Sequence, residues 1–185
     1  MVKPLKKDAT YEDVITAPED LIAEIAGGEL YLSPRPALRH ARIASALTSD
    51  LHDAFDHGRS GPGGWWILFE PELHLDGNVL VPDVAGWRRE RMTELPDVAW
   101  LDVPPDWVCE ILSASTEELD RRRKLPLYAL AGVPHLWLIN PGVRRVEVYR
   151  RDRGGYRLIS SSSGEELLSA EPFEAVSIAL ERLWG

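Results

Sequence analysis

The sequence predicts an α/β fold, because segments with strand character alternate with segments that have helix character. Residues 107–112 are mostly β-branched, aromatic or aliphatic and follow a Pro-Pro-Asp boundary, as is typical of a strand. Ser115 and Glu118 then form a capping-box pattern, which predicts a helix that starts at Ser115. Residues 135–139 are continuously apolar, which is typical of a strand at the centre of a sheet.

The N-terminal part of the chain is expected to hold two helices separated by a hairpin. Thr10 can cap a short helix over residues 11–16. A Gly-Gly turn joins two alternating segments into a hairpin over residues 21–33. An apolar stripe at helical spacing predicts a longer helix over residues 38–55.

A second strand pair is expected over residues 65–75 and 79–87, joined by the Asp-Gly turn at positions 76 and 77. Pro71 interrupts the first of these strands and indicates an edge or a bulge. With a two-residue turn, residue i faces residue 153 − i. This register sets Glu70 opposite Asp83, and it puts Glu72 on the same face as Asp83.

The remaining segments are expected to be strands and connections. Residues 88–104 form an irregular or partly helical connection. Residues 145–149 and 156–159 are predicted strands, and the serine run at 160–163 is predicted to be a flexible connection. Residues 165–184 are ambiguous, since they combine strand-like alternation with an apolar anchor at their end.

Length and composition predict one globular domain. At 185 residues the chain is expected to form a single domain over residues 1–185, with a core at about 20–150 and an extension at about 151–185. The hydrophobic fraction of 44% and the charged fraction of 28% argue against the disordered and membrane classes. No apolar run approaches the roughly 20 residues that a membrane span needs.

Cysteine usage and the N-terminus favour a cytoplasmic location. Cys109 is the single cysteine and lies in a predicted strand, so neither a disulfide framework nor a zinc site is expected. The basic start is followed by Asp8 and a polar segment, so no secretory signal is expected.

The charge pattern leaves two interpretations open. The net charge of -9 argues against bulk attraction to nucleic acid. Basic residues nevertheless cluster at positions 35–42, 88–91, 121–124 and 144–153. These clusters are either a local phosphate-binding surface on an acidic body or ordinary solvated faces.

Asp83 and Glu110 are carboxylates in predicted strands with apolar neighbours. Burying an unpaired carboxylate is costly, and a metal ion or a cationic side chain is the usual compensation. Lys124 lies on the following helix, where Asp120, Lys124 and Tyr128 share one face at four-residue spacing.

Two carboxylates converging near a lysine suit metal-assisted phosphodiester hydrolysis. The acids hold a hard cation such as Mg²⁺, and the lysine stabilises charge or helps to deprotonate the attacking water. The alternative is a structural ion pair of Lys124 with Glu110 or Asp120.

An ordered set of motifs resembles the Uma-two family, a bacterial family of endonucleases within the PD-(D/E)XK superfamily. The motifs are V-P-D-V at 81–84, P-D-W-V-C-E-I-L-S at 105–113 with Ser115-Thr116, Asp120, Lys124, Tyr128, G-V-P at 132–134 and Trp137. The resemblance covers about residues 22–149. It implies a restriction-endonuclease-like α/β core with a mixed central β-sheet flanked by α-helices, an N-terminal hairpin and C-terminal strands.

The resemblance also implies site roles. Asp83 takes the role of the metal-binding aspartate, and Glu110 that of the second acid. The superfamily's lysine is expected two residues after Glu110, where this chain has Leu112. Lys124 is similar to the migrated lysine that some members use instead.

Five further residues are candidates for supporting roles. Glu24 and His40 resemble positions near the front of the family's pattern, while Glu70, Glu72 and Asp120 are neighbouring acids. In the alternative interpretation, Glu24 and Glu72 face solvent and His40 packs in the first turn of its helix.

Together, the residues and the resemblance predict an endonuclease that uses Mg²⁺ or Mn²⁺, and no other cofactor, to hydrolyse DNA phosphodiester bonds. The alternative is a non-catalytic module that keeps the fold and binds nucleic acid or protein, acting for example as a homo-oligomer. The displaced lysine and the net charge of -9 favour the module, whereas an intact triad of Asp83, Glu110 and Lys124 favours the enzyme. No membrane partner is expected.

Overall fold

The computed structural model describes residues 2–185 as an α/β fold built on two six-stranded mixed sheets and few helices. The strands are β1 (Lys6–Lys7), β2 (Leu21–Ala26), β3 (Glu29–Pro34), β4 (Trp65–Phe69), β5 (Glu72–Leu75), β6 (Asn78–Leu80), β7 (Val84–Arg88), β8 (Trp100–Leu101), β9 (Trp107–Ile111), β10 (His135–Asn140), β11 (Arg145–Asp152), β12 (Gly155–Ser163), β13 (Leu167–Leu168) and β14 (Ile178–Ala179). The helices are α1 (Tyr11–Ile15), α2 (Leu38–Leu51), α3 (Glu117–Leu119), α4 (Leu125–Leu130) and α5 (Glu181–Trp184). The predicted α/β class is confirmed.

The first sheet has the strand order β12-β11-β10-β9-β7-β4, and we call it the site sheet. The pair β9 and β10 is parallel, and the other pairs are antiparallel. All five residues of β9 are buried, because the strand has a neighbour on each edge and packed layers on both faces. This position explains why the segment is almost wholly apolar.

The second sheet has the order β1-β3-β2-β6-β5-β8 and contains the N-terminal hairpin. Its Leu73 and Leu80 pack with Val108 and Leu136 of the site sheet. Helix α2 packs on the opposite face of the site sheet, where Leu47 joins the other main core cluster. The single central sheet expected from the sequence is therefore two sheets, since the hairpin recruits β5 and β6 into a layer of its own.

The register expected around the Asp-Gly turn is correct, but the continuity of the two strands is wrong. Leu73 faces Leu80 in the second sheet, and Phe69 faces Val84 in the site sheet. In both pairs the residue numbers sum to 153, as the expected register requires. Between the two ladders, the Glu70 N–H donates to the Asp83 carbonyl at 3.1 Å. The strands break here because Pro71 and Pro82 have no backbone N–H to donate.

The helix predicted at Ser115 begins two residues later. Thr116 is the N-cap residue of α3, so the predicted capping box of Ser115 with Glu118 is wrong. The Ser113 hydroxyl accepts the Thr116 N–H at 3.2 Å and takes part in this turn instead. A π-helical turn, Asp120–Lys124, then joins α3 to α4.

The other N-terminal elements form as predicted. Helix α1 starts after Thr10, the hairpin is β2 with β3, and α2 continues through a π-helical turn, His52–Asp56. The connection at 88–104 is irregular apart from β8. No helix within residues 2–185 is long and apolar enough to span a membrane.

The C-terminal region is more ordered than expected. Ser160–Ser163 belong to β12 and pair with β11, so the predicted flexible connection is wrong. The ambiguous tail forms the pair β13 and β14, followed by α5. Leu183 of α5 is fully buried in the core, as the predicted anchor requires.

Candidate functional site

A cavity of about 170 Å³ opens where β2, the start of α2, the break between β6 and β7, and the end of β9 meet. The cavity is lined by six of the predicted site residues, namely Glu24, His40, Asp83, Glu110, Asp120 and Lys124. The structure therefore brings together side chains that are up to 100 positions apart in the sequence.

Asp83 is held at the break that precedes β7. Its Oδ2 accepts the backbone N–H of Ile111 at 2.6 Å. Ile111 directly follows Glu110, so this bond fixes the two carboxylates relative to each other.

Glu110 lies on the face of β9 that packs toward the second sheet, and it is 2% exposed. Its Oε1 accepts the Tyr128 hydroxyl at 2.7 Å and contacts Lys124 Nζ at 2.8 Å. Its Oε2 has no hydrogen-bond donor among residues 2–185. Tyr128 and Lys124 both contact Oε1, so Oε2 remains available to a ligand in the cavity that Glu110 lines.

Lys124 is buried, and its ammonium group is surrounded by oxygens of the protein. Nζ contacts Glu24 Oε1 and Glu110 Oε1, each at 2.8 Å, and donates to the Val81 carbonyl at 3.0 Å. Burial lowers the pKa of Lys124, but the carboxylates of Glu110 and Glu24 outweigh that effect and raise the pKa well above its ordinary value. Lys124 therefore stays protonated, with three protein oxygens within 3.0 Å of its ammonium group.

Glu24 completes a clamp on the chain segment before Asp83. Its Oε1 also accepts the Val81 N–H at 2.8 Å, while Lys124 binds the Val81 carbonyl. Glu24 is 4% exposed, so the interpretation that it faces solvent is wrong. The clamp holds both polar groups of the Val81 backbone, two residues before Asp83.

His40 approaches Asp83 from the first turn of α2. Its Nε2 lies 3.1 Å from Asp83 Oδ1, and its Nδ1 is buried without a hydrogen-bond partner among residues 2–185. Burial lowers the pKa of His40, but the Asp83 carboxylate and the backbone of Ile111 more than offset this, so the net shift is upward.

Carboxyl groups outnumber basic side chains in the lining of the cavity. Burial raises the pKa of Glu110 well above its usual range against the opposing charge of Lys124, and Asp120 and Asp83 add to the rise. Burial likewise raises the pKa of Asp120 to about 7, although Lys124 lies 3.8 Å away and opposes the shift. Four carboxylates thus share one lysine, which is an environment that favours a further cation.

Glu70 and Glu72 are not among the residues that line the cavity. The Glu70 N–H donates to the Asp83 carbonyl, and burial and the charge of Asp83 raise the pKa of the Glu70 carboxyl. Glu72 instead binds the Tyr11 hydroxyl at 2.9 Å and His74 Nε2 at 2.7 Å. The structure does not bring Glu72 to the site.

Sequence reasoning missed two contributors, the Tyr128 hydroxyl and the Val81 carbonyl. Tyr128 lies four residues after Lys124, and this helical spacing was the available signal for its role. The Val81 carbonyl carried no signal, because any residue supplies the same group.

The donor set fits a hard divalent cation. Residues 2–185 contain no group of three or more His, Cys, Asp and Glu side chains arranged as a complete metal site. Mg²⁺ and similar ions, however, commonly bind through one or two carboxylates and keep several waters. Asp83 and Glu110 provide such a pair in a cavity that Glu24 and Asp120 also line.

Comparisons with known proteins agree with this architecture. The chain matches the model of the Uma2 family, described as "Putative restriction endonuclease", over residues 8–181. It resembles the crystal structure of a putative nuclease of DUF820 from Anabaena variabilis with a TM-score of 0.75 and 20% identity, covering 95% of this chain and 97% of that one. No curated protein matches the chain significantly. The structural likeness supports the fold, and the family match spans nearly the whole chain.

Proposed function

We propose that this chain, which belongs to the Uma2 family, is an endonuclease. It would use a divalent metal ion to hydrolyse DNA phosphodiester bonds. The observation that carries the proposal is the convergence of Asp83 and Glu110 on one cavity beside Lys124. An acid pair of this kind is suited to phosphodiester hydrolysis because the reaction needs a held cation and an activated water.

Asp83 and Glu110 would hold the ion, Mg²⁺ or Mn²⁺. A divalent ion bound there would supply Lewis-acid polarisation of the phosphate and a more acidic bound water. Asp83 Oδ2 accepts the Ile111 N–H and Glu110 Oε1 accepts the Tyr128 hydroxyl, so Oδ1 of Asp83 and Oε2 of Glu110 would be the oxygens available to an ion.

Lys124 is assigned a positioning role in this proposal. With Tyr128 it holds Glu110 Oε1, and with Glu24 it holds the Val81 backbone. Its positive charge also offsets the carboxylates at the site, while protein oxygens already surround the ammonium group. Asp120 adds negative charge at 3.8 Å from the ammonium group.

Basic residues at the cavity mouth would bind the DNA backbone. Arg35 lines the cavity and Arg39 is exposed on the first turn of α2, beside His40. Phosphate contacts of this type make binding weaken as salt concentration rises, even for a protein whose net charge is -9.

Because protein oxygens already surround the Lys124 ammonium group, a second function is favoured, that of a nucleic-acid-binding module without turnover. In such a module the cluster of Lys124 with Glu24 and Glu110 would serve only as a buried ion-pair network. A cleavage assay separates this candidate from the enzyme.

The assay measures nicking of supercoiled plasmid DNA with Mg²⁺ or Mn²⁺ and after chelation. We expect metal-dependent nicking by the unmodified protein and a loss of at least about 100-fold in Asp83→Asn and Glu110→Gln, since a bound cation supplies several kcal/mol. Glu72→Gln, outside the cavity, is the matched acid control. Undiminished nicking in both site variants would refute the proposal, and no nicking under any condition would favour the module.

A further inference from the structure

A second cavity, of about 490 Å³, lies along helix α2 and the π-helical turn that follows this helix. We call it the α2 groove. Its volume is within the range of about 300–1,000 Å³ that is usual for ligand sites. The side chains that line it include Ser45, Ser49, His52, His57, Arg59 and Phe69.

The α2 groove differs chemically from the cavity that contains Asp83 and Glu110. Four carboxylates line that cavity, whereas Asp53 is the one carboxylate that lines the groove. Arg59 is exposed, and its guanidinium group is in no ion pair within residues 2–185. Hydroxyl and guanidinium groups are typical contacts of phosphate oxygens. The lining of the groove is therefore suited to part of a DNA strand.

Phe69 presents an aromatic ring at the α2 groove. Trp65 and Ile67 lie on the same face of β4 and are buried, whereas Phe69 is 52% exposed. His52 and His57 also line the groove, with ring centroids 5.8 Å apart. Aromatic rings of this kind are the side chains on which proteins stack unpaired nucleobases. The groove thus combines groups that contact phosphate with rings that contact bases.

Phe69 lies at the end of the site sheet that carries Asp83. It is the last residue of β4 and faces Val84, the first residue of β7. The next pair along is joined by the hydrogen bond from the Glu70 N–H to the Asp83 carbonyl. Phe69 is therefore one residue pair away from Asp83, so the base next to a phosphate bound at Asp83 lies within reach of the ring.

We infer that the α2 groove binds an unpaired base beside the scissile phosphate, by stacking on Phe69, and that the substrate is single-stranded or locally unpaired DNA. The bases of a duplex are stacked on each other, so only an unpaired base presents its face to the ring. This inference rests on the proposed function, because it takes DNA as the substrate and Asp83 as the residue at the scissile phosphate.

A protein contact is the competing explanation for the exposed ring. Phe69 also borders a cleft lined by the exposed side chains of Leu95, Val98 and Trp100. Exposed apolar patches often mark protein interfaces. A base is favoured because the other side of Phe69 faces hydroxyl groups and the unpaired guanidinium group of Arg59, which suit a phosphate backbone and not an apolar surface.

The first test measures the fluorescence anisotropy of a labelled thymidine oligonucleotide, an abasic strand of equal length and a duplex, all in EDTA to prevent metal-dependent cleavage. We expect the unmodified protein to bind the thymidine strand about fivefold or more tightly than the abasic strand. Phe69→Ala should lose this preference. Phe69→Leu, which keeps an apolar side chain but has no ring, should lose it too.

The matched control is Leu158→Ala, because Leu158 is 51% exposed on β12, at the opposite edge of the site sheet from β4. This variant should keep the preference for bases. Duplex affinity is expected to be the same in the unmodified protein and in every variant, because a duplex offers no unpaired base to the ring. An undiminished preference for bases in Phe69→Ala would overturn the inference.

The second test locates the base directly. Iodouracil, placed at each position of the strand in turn, forms a photochemical crosslink to an aromatic side chain that it contacts. We expect mass spectrometry of the unmodified protein to find a crosslink at Phe69. Crosslinks at other residues with none at Phe69 would overturn the inference, even if Phe69→Ala folds poorly.

Sedimentation velocity tests the competing explanation. We expect the unmodified protein and Phe69→Ala to sediment alike. If Phe69→Ala converts an oligomer into a monomer while its affinity for the thymidine strand is unchanged, the ring is a protein contact and the inference is wrong.

The inference and the proposed function fail in different ways. If the unmodified protein nicks plasmid DNA and Phe69→Ala keeps the preference for bases, the proposed function stands and the base site does not. If the unmodified protein neither nicks plasmid DNA nor binds any of the three DNA probes, both are refuted.

Discussion

The cavity has two sides that differ in how completely their polar groups are paired. On the closed side, Lys124 is surrounded by Glu24, Glu110 Oε1 and the Val81 carbonyl, and Tyr128 completes the network. On the open side, Glu110 Oε2 has no donor and His40 Nδ1 has no partner within residues 2–185. The difference is consistent with the proposed function, in which the closed side would set the geometry and the open side would bind the ion.

Lys124→Met is expected to have the largest effect, because it leaves the buried carboxylates of the closed side without their cation. Breaking a buried ion pair in this way costs about 3–5 kcal/mol. Urea denaturation at neutral pH measures the free energy of unfolding. Arg122→Met is the control, because Arg122 is a neighbouring cation whose side chain is 78% exposed. Equal midpoints for the two variants would mean that the closed side does not stabilise the fold.

Tyr128→Phe is expected to have an intermediate effect on stability. The change leaves the buried Glu110 carboxyl without one of its partners, which costs about 1–3 kcal/mol. The control is Tyr11→Phe, because Tyr11 makes a similar tyrosine-glutamate bond on the surface, 2.9 Å from Glu72. Nicking by Tyr128→Phe should also slow, since Glu110 loses one of the donors that orient it. A stability loss no larger than that of Tyr11→Phe would contradict the buried network.

The pH dependence of stability tests the electrostatics of the cavity. The pKa of Asp120 is raised to about 7 in the folded protein, chiefly by burial. The folded state therefore binds this proton more tightly than the unfolded state, and the contribution to stability falls as pH rises from about 4 to about 7. In metal-free protein, Asp120→Asn should reduce that fall. An identical pH profile in the variant would show that Asp120 is not the group responsible.

Glu72→Gln is expected to have the smallest effect. Its carboxylate lies outside the cavity and binds Tyr11 and His74 near the surface. Surface substitutions of this kind usually change stability by less than about 0.5 kcal/mol. Metal affinity, measured by calorimetry, should be unchanged. A clear loss of affinity would extend the site beyond the cavity.

The open side was largely predictable from the sequence because its residues carry local signals. Asp83 and Glu110 are acids in apolar strands, and the register across the Asp-Gly turn correctly places Glu70 beside Asp83. Each of these signals can be recognised within a short stretch of sequence, without knowledge of how the two sheets pack.

The closed side was less predictable because it depends on how the two sheets pack. Glu24 alternates in its hairpin like a solvent-facing residue, and only the second sheet's position against β9 turns it toward Lys124. The same packing divides the predicted strands at 65–75 and 79–87 between the two sheets, with the breaks near Pro71 and Pro82. The start of α3 shifted because Ser113 competes with Ser115 in the turn.

The most direct test is the anomalous X-ray signal of Mn²⁺ in crystals of the protein. We predict one anomalous peak within about 2.5 Å of Asp83 Oδ1 and Glu110 Oε2, with Lys124 still bound to Glu24 and Glu110 Oε1. An anomalous map with no peak at Asp83, from crystals containing millimolar Mn²⁺, would contradict the assignment of the open side as the metal site.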